Sequence, residues 1–365
     1  MSLSNQRITA VDTLRGLTIL FMIIVNNPGS GTHIYAPLSH AEWNGITPTD
    51  YIFPTFLFIV GISIVLSLGK RLESKSKAEL TKYVFIRAVK IYLVGTFLWL
   101  WYDFDFSEIR WAGVLQRIAW VYLACSILYL YTSKKQQWLI GISILTAYLL
   151  LMCFIPVPGI GAPDLLIPEK NWAHFIDRMY LPGVMWQGTW DPEGILSTFP
   201  AIVSGMIGMW VGYELKTSVS LDKRMIRLTM IAAVLFILGD FTQYIFPLNK
   251  NLWSTSFTLL VGGISTLILI VCMYLCDVME QHKRLRFANY FGANAIFAYV
   301  LSSLLRVVFY EDVIWGIMPN TSFVSSLGSL GISLQFASLL YALFYTFIIW
   351  IPTYYLFKKN FFIKI

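Results

Sequence analysis

Between Asp50 and Lys70 the chain reads YIFPTFLFIVGISIVLSLG, 19 residues without a charge. A helix needs roughly 20 mostly apolar residues to cross the hydrocarbon core of a bilayer. Such runs recur ten times, at 9–27, 50–69, 83–102, 112–131, 137–155, 195–214, 226–246, 253–276, 288–310 and 333–357. No arrangement of ten such segments suits a water-soluble domain. Charged residues make up 13% of the chain, against about a quarter in soluble domains. The expectation is an all-α polytopic membrane protein: one bundle of about ten transmembrane helices, forming a single domain over residues 1–365. The first run keeps Arg15 inside it and has no small-residue cleavage site, so it reads as an uncleaved helix.

Basic residues orient such a bundle, because Lys and Arg accumulate in cytoplasmic loops. With the N-terminus inside, 18 of the 27 fall on inner segments, Arg7, Lys70 and Lys364 among them. Four fall outside (Arg110, Lys170, Arg178 and Lys250) and five within helices. Both termini are therefore expected in the cytoplasm. The net charge of +7 is this bias; no basic stripe is interleaved with stacking aromatics, so nucleic acid is not an expected partner, whereas membrane lipid is. Cys125, Cys153, Cys272 and Cys276 all lie in apolar runs without ligand-type spacing to histidine, and neither a metal nor a disulfide framework is expected.

The loops and buried charges carry the chemistry. The outer segment 156–194 is long and rich in Pro and Gly; with 28–49 it would form an outer vestibule. Ionisable groups at membrane depth mark sites or pathways. Here they are Asp12, Arg15, Asp50, Arg87, Lys90, Arg117, Asp240 and Arg306. Of the four histidines, His40 stands closest to other polar groups, in HAEWNGITPTD. His33, His174 and His282 are assigned no chemistry. Asp191 and Glu193 in DPEG read equally as a carboxylate pair or as acidic residues near a helix start.

Several blocks together carry a resemblance. RITAVDTLRGLTILFMIIVNNPG and HAEWNGITPTDYIFPTFLFIVG are followed in order by GVLQRIA, DPEGILST, PLNKNLWSTSFTLL and YFGANAIFAYVLS. This series resembles the heparan-α-glucosaminide N-acetyltransferase family from about residue 7 to about residue 300. The large lumenal N-terminal region of the lysosomal enzyme has no counterpart here, so the chain looks like a compact bacterial form, in the inner membrane.

The resemblance implies transfer of an acetyl group from cytoplasmic acetyl-CoA to the amine of a glucosamine-type sugar across the membrane, by a homodimer. It makes His40 catalytic and puts Asn26 in the site, with Asn27 as the alternative. The chemistry asks for the same residue types. An amine attacking a thioester must lose a proton, and histidine is the natural base at neutral pH. The oxyanion needs a donor such as a side-chain amide, and Asp50 would orient the imidazole or pair with a membrane arginine. Arg15 and Arg117, with Gln116, would meet the CoA phosphates. Glu42, Trp43, Asn44, Asn251 and Trp253 are the candidate acceptor contacts. An acetyl-histidine intermediate is the second route. Intramembrane charges and Pro- or Gly-interrupted spans also fit an amino-sugar transporter, and a non-catalytic relative is the third reading.

Overall fold

The computed structural model describes residues 8–101 and 104–363, apart from the side chain of His282. Arg7 and Lys364, counted above as inner charges, lie outside them. Among the described residues there are fourteen α-helices and no strand beyond two isolated bridges. They are α1 Thr9–Asn26, α2 Ile52–Arg71, α3 Lys77–Leu100, α4 Val114–Tyr131, α5 Lys134–Phe154, α6 Trp172–Tyr180 and α7 Thr198–Leu215. The rest are α8 Leu221–Thr242, α9 Thr255–Met273, α10 Arg286–Ala293, α11 Ala295–Leu304, α12 Arg306–Phe309, α13 Pro319–Ser329 and α14 Leu334–Lys358. Eight helical segments are long and apolar enough to cross a membrane: α1, Pro48–Arg71, α3, α4, α5, α8, Thr255–Val278 and α14. The molecule is a polytopic helical membrane protein.

The other two expected spans behave differently. The run at 195–214 forms α7, with 13 of its 18 residues buried. A helix covered all round belongs inside a protein rather than against lipid. The run at 288–310 is not one helix but three, α10, α11 and α12, interrupted at Asn294 and Leu305. Asn294 is buried at φ −126°, ψ 44°, and turns its amide to the chain's tail: Nδ2 donates to Phe361 O (3.2 Å), and Oδ1 accepts from Ile363 N (2.9 Å). Asparagine competes with helical backbone bonding in this way. The 156–194 segment, read as a loop, contains α6, whose N-cap Asn171 accepts from His174 N at 3.0 Å.

The chain forms two compact units. The first comprises the described residues up to His40, Thr47–Phe53, and those from Val271 onward; the second comprises Ala41–Ile46 and Pro54–Ile270. In the first, α1 lies directly on α10: a Cβ on Gly16 would sit 1.8 Å from Ala288 O. Thr13 Oγ1 donates to Asn289 Oδ1 beside it (3.0 Å). Tyr310 of this unit donates to Asn27 O (2.6 Å), tying down the end of α1.

In the second unit α7 is the central rod. A Cβ on Gly61 of α2 would meet Gly205 O at 1.8 Å, and one on Gly208 would meet Phe58 O at 1.9 Å. Only hydrogen at those positions lets two backbones approach so closely, the usual device of membrane helix pairs. Thr55 of α2 and Ser265 of α9 share a buried hydrogen bond of 2.8 Å. Capping boxes start α3 (Ser76 with Glu79) and α5 (Ser133 with Gln136). The uncovered faces of α3, α5 and α8 present Phe85, Leu93, Ile142, Leu150, Met230, Val234 and Phe241. Apolar side chains exposed along whole helix faces are stable only against lipid.

Candidate active site

His40 and Asp50 meet within the first unit. His40 Nδ1 lies 2.6 Å from Asp50 Oδ1. The contact is built locally. Thr47-Pro48 starts a 3₁₀ turn, Pro48–Tyr51, whose capping box pairs Thr47 with Asp50. Asp50 Oδ2 accepts from Thr47 N at 3.0 Å, and Thr47 Oγ1 donates to Ser39 O at 2.6 Å. Thr49 Oγ1 donates to Pro37 O at 3.1 Å. The carboxylate is thus buried and aimed, while 47% of the imidazole side chain is exposed. With a carboxylate at Nδ1, that nitrogen carries the proton and Nε2 keeps a lone pair. An aspartate-oriented, half-exposed histidine can take a proton or attack a carbonyl.

The other expected residues of this unit belong to α1 and its end. Asn26 ends α1 with an exposed side chain, and its carbonyl accepts from Arg306 Nη1 at 3.4 Å. Its alternative, Asn27, is buried and donates to Ile23 O at 2.8 Å. Arg15 pairs with Asp12 one turn earlier on α1, at 2.8 Å, and keeps 21% of its side chain exposed.

In the second unit two sequence blocks come together. Asn249 Nδ2 donates to Asn44 Oδ1 (2.9 Å), and Gly45 N donates to Leu248 O (2.8 Å). The NG of HAEWNG therefore docks on the LN of PLNKN. Trp43 Nε1 and Asn44 Nδ2 both donate to Leu165 O, at 2.9 and 3.2 Å. The Trp43 ring meets the edges of His174 (5.5 Å) and Trp190 (5.3 Å), which stack on one another at 4.6 Å. Glu42 is exposed, and Asn251 is half-buried one residue beyond Lys250.

Two further blocks, GVLQRIA and DPEGILST, meet the tryptophan of PLNKNLW around Arg117. Its guanidinium, 1% exposed, donates through Nη2 to Gly194 O (3.2 Å) and to Ser197 Oγ. It lies 5.0 Å from the Trp253 ring centroid. Trp253 is held in the left-handed region at φ 51°, where a bulky residue is strained, and its Nε1 donates to Ser204 Oγ at 3.0 Å. Gln116, also buried, has its amide against Gly95 and Gly113.

Beside Arg117 lies an ionic cluster that includes Asp191 and Glu193, the two acidic residues of DPEG. Arg110 grips Asp191 with Nε and Nη2, both at 2.7 Å, and reaches Glu193 with Nη2 at 2.7 Å. Burial pushes the Asp191 carboxyl upward, but the Arg110 guanidinium outweighs it and holds the group below the usual carboxylate range. His174 is buried and, through desolvation and then Arg178, pushed down to about 3, so it is neutral. Burial pushes Asp177, three residues further along α6, up to about 7. His174 and Asp177 share one helix face, a spacing visible in HFIDRM once the segment is read as helix. Among the described residues no group of His, Cys, Asp and Glu could hold a metal ion.

Residues 7–190 match the family model described as heparan-alpha-glucosaminide N-acetyltransferase, catalytic. The chain belongs to that family. The heparan-alpha-glucosaminide N-acetyltransferase of mouse is 29% identical over 364 residues, covering 84% of this chain and 55% of the mouse protein. The human protein of the same name is 29% identical over 354 residues, covering 80% and 52%. The chain thus spans about half the length of the curated relatives it matches. His40, Asp50, Trp43, Asn44 and Arg117 fall inside the stretch matched to the heparan-alpha-glucosaminide N-acetyltransferase model, as does Asp177. Asp191, Gly194, Asn249 and Trp253 lie beyond it.

Proposed function

We propose that this protein is a membrane-embedded acetyltransferase that moves an acetyl group from cytoplasmic acetyl-CoA to the amine of a glucosamine-type sugar on the opposite side of a bacterial inner membrane. The observation that carries the reading is the His40–Asp50 pair, buried carboxylate against accessible imidazole, inside the stretch matched by the family's catalytic model. His40 Nε2 takes a proton from the attacking amine as its nitrogen bonds to the thioester carbonyl carbon. Asn26 donates to the oxyanion. The C–S bond then breaks, and the CoA thiolate leaves with the proton returned by the imidazolium. In the two-step route His40 Nε2 itself takes the acetyl group before the amine does.

Arg15, Arg117 and Gln116 are the candidates for the CoA end. Arg15, paired with Asp12, keeps part of its side chain exposed, whereas Arg117 and Gln116 are buried. Trp43 and Asn44 are held by Leu165 and Asn249, and with Glu42, Asn251 and Trp253 they are the candidate acceptor residues. Purified protein in lipid nanodiscs, given acetyl-CoA and glucosamine-ended acceptors, should form the N-acetyl product and free CoA together. CoA should raise Tm, and Arg15→Ala should diminish that rise while leaving the unliganded Tm nearly unchanged. No product with any acceptor and no Tm response to millimolar CoA would sink the reading in favour of a carrier.

A further inference from the structure

The peptide group joining Gly194 to Ile195 is gripped at both ends. Its carbonyl accepts from Arg117 of α4, and its N–H donates to Asp177 Oδ1 of α6 at 2.8 Å. Gly194 is required there, because a Cβ would lie 1.9 Å from Asp177 Oδ2. The peptide stands just before Ser197 and α7, so both side chains hold the start of the unit's central helix. The bond from the charged guanidinium is the stronger kind, and polarisation through the amide couples it to the bond at Asp177.

The charges around this peptide do not balance. From α4 comes Arg117 and from the α3–α4 connection Arg110; from the turn before α7 come Asp191 and Glu193, and from α6 comes Asp177. Two cations face three carboxyls. His174 on α6 is neutral, and Tyr148 of α5 is a buried phenol donating to Leu252 O. Arg178 is exposed and turned to Glu169 O. Arg110 is taken up by Asp191 and Glu193, and Arg117 makes no ion pair within 4.0 Å among the described residues. One proton makes the set neutral, and Asp177, 1% exposed, is the carboxyl without a guanidinium of its own.

We propose that Asp177 takes up a proton as pH falls through neutrality and that this proton makes the buried cluster around the 194–195 peptide electrically neutral, making the start of α7 sensitive to pH. This inference stands independently of acetyl transfer. The direction follows from linkage. A carboxyl whose affinity for protons is raised by folding, from 3.8 to about 7, stabilises the fold fully below the lower value. That stabilisation is lost as pH rises between the two and is gone above the upper one. Relative to Asp177→Asn, whose amide still accepts from Ile195 N–H, the wild type should therefore lose stability close to tenfold in the unfolding constant per pH unit between about pH 5 and 6.5, then run parallel above pH 8. Taking the difference between the two proteins removes every other titrating group.

Infrared difference spectra supply a second readout. Between pH 5 and 8.5 the wild type should lose the carbonyl stretch of one buried carboxylic acid, and Asp177→Asn should lack that band. If Asp177→Asn does not fold, Glu193→Gln serves instead. Removing one neighbouring negative charge should move the band's midpoint to lower pH. Parallel stability curves throughout, no titrating carboxylic acid band, or a midpoint indifferent to Glu193→Gln would each overturn the proposal.

Discussion

His40 divides its work with Asp50. The imidazole is half exposed and packs little, whereas the carboxylate is buried and caps the turn that carries it. Replacement should separate these roles. His40→Ala should leave Tm within a degree or two yet slow transfer by about 10²–10⁴-fold, the usual contribution of a general base, or by more if the histidine is a nucleophile. Asp50→Asn should slow it by up to about 10⁴-fold, since an amide facing Nδ1 favours the wrong tautomer. Acetyl transfer and thermal unfolding on the same preparations check both, and a fully active His40→Ala would remove the assignment. The pair was legible beforehand because both residues lie ten positions apart in one polar block. Asp177 was not, since its burial depends on Arg117 and Gly194, far away in the chain. Arg110, counted only as an outer charge, gave no hint that it would hold two carboxylates.

Among the elements, α7 shows how a membrane-length run can serve as core. It was counted with the spans because its residues are apolar; what sets it apart is glycine at 208 and 212, which admits α2 on one side, and at 205, which lies against Val121 and Cys125 of α4. Gly61→Val should accordingly destabilise the protein by more than the 1–3 kcal/mol of ordinary overpacking, because the neighbour it meets is backbone that cannot rotate away. Thermal unfolding in nanodiscs measures this, and an unchanged Tm would mean that α2 and α7 separate freely. The run 288–310 carried its signal in GANA, where Asn294 interrupts the helix. Hydropathy averages over such a break, because one amide among twenty apolar residues hardly moves a mean. Capping, by contrast, was readable: Ser76 with Glu79 and Ser133 with Gln136 stand at the expected spacing.

For the whole molecule, the distribution of Lys and Arg makes a claim about sidedness. A single cysteine placed at Lys170, in a chain otherwise free of accessible thiols, should react with a membrane-impermeant maleimide in intact cells; labelling only after lysis would reverse the orientation. Most of the helices were legible from apolar run length alone. The grouping into units was not, because it depends on which distant segments pack together. One unit draws on both ends of the chain, whereas the bulk of the other is continuous from Pro54 to Ile270. This matters for biosynthesis. The face of α1 bearing Gly16 receives its partner only when Ala288 has left the ribosome, about 270 residues later, or roughly 15–50 s at 5–20 residues per second. Throughout that interval Asp12, Thr13 and Arg15 stand in the nascent membrane segment without α10, and the insertion machinery must shelter them until translation delivers it.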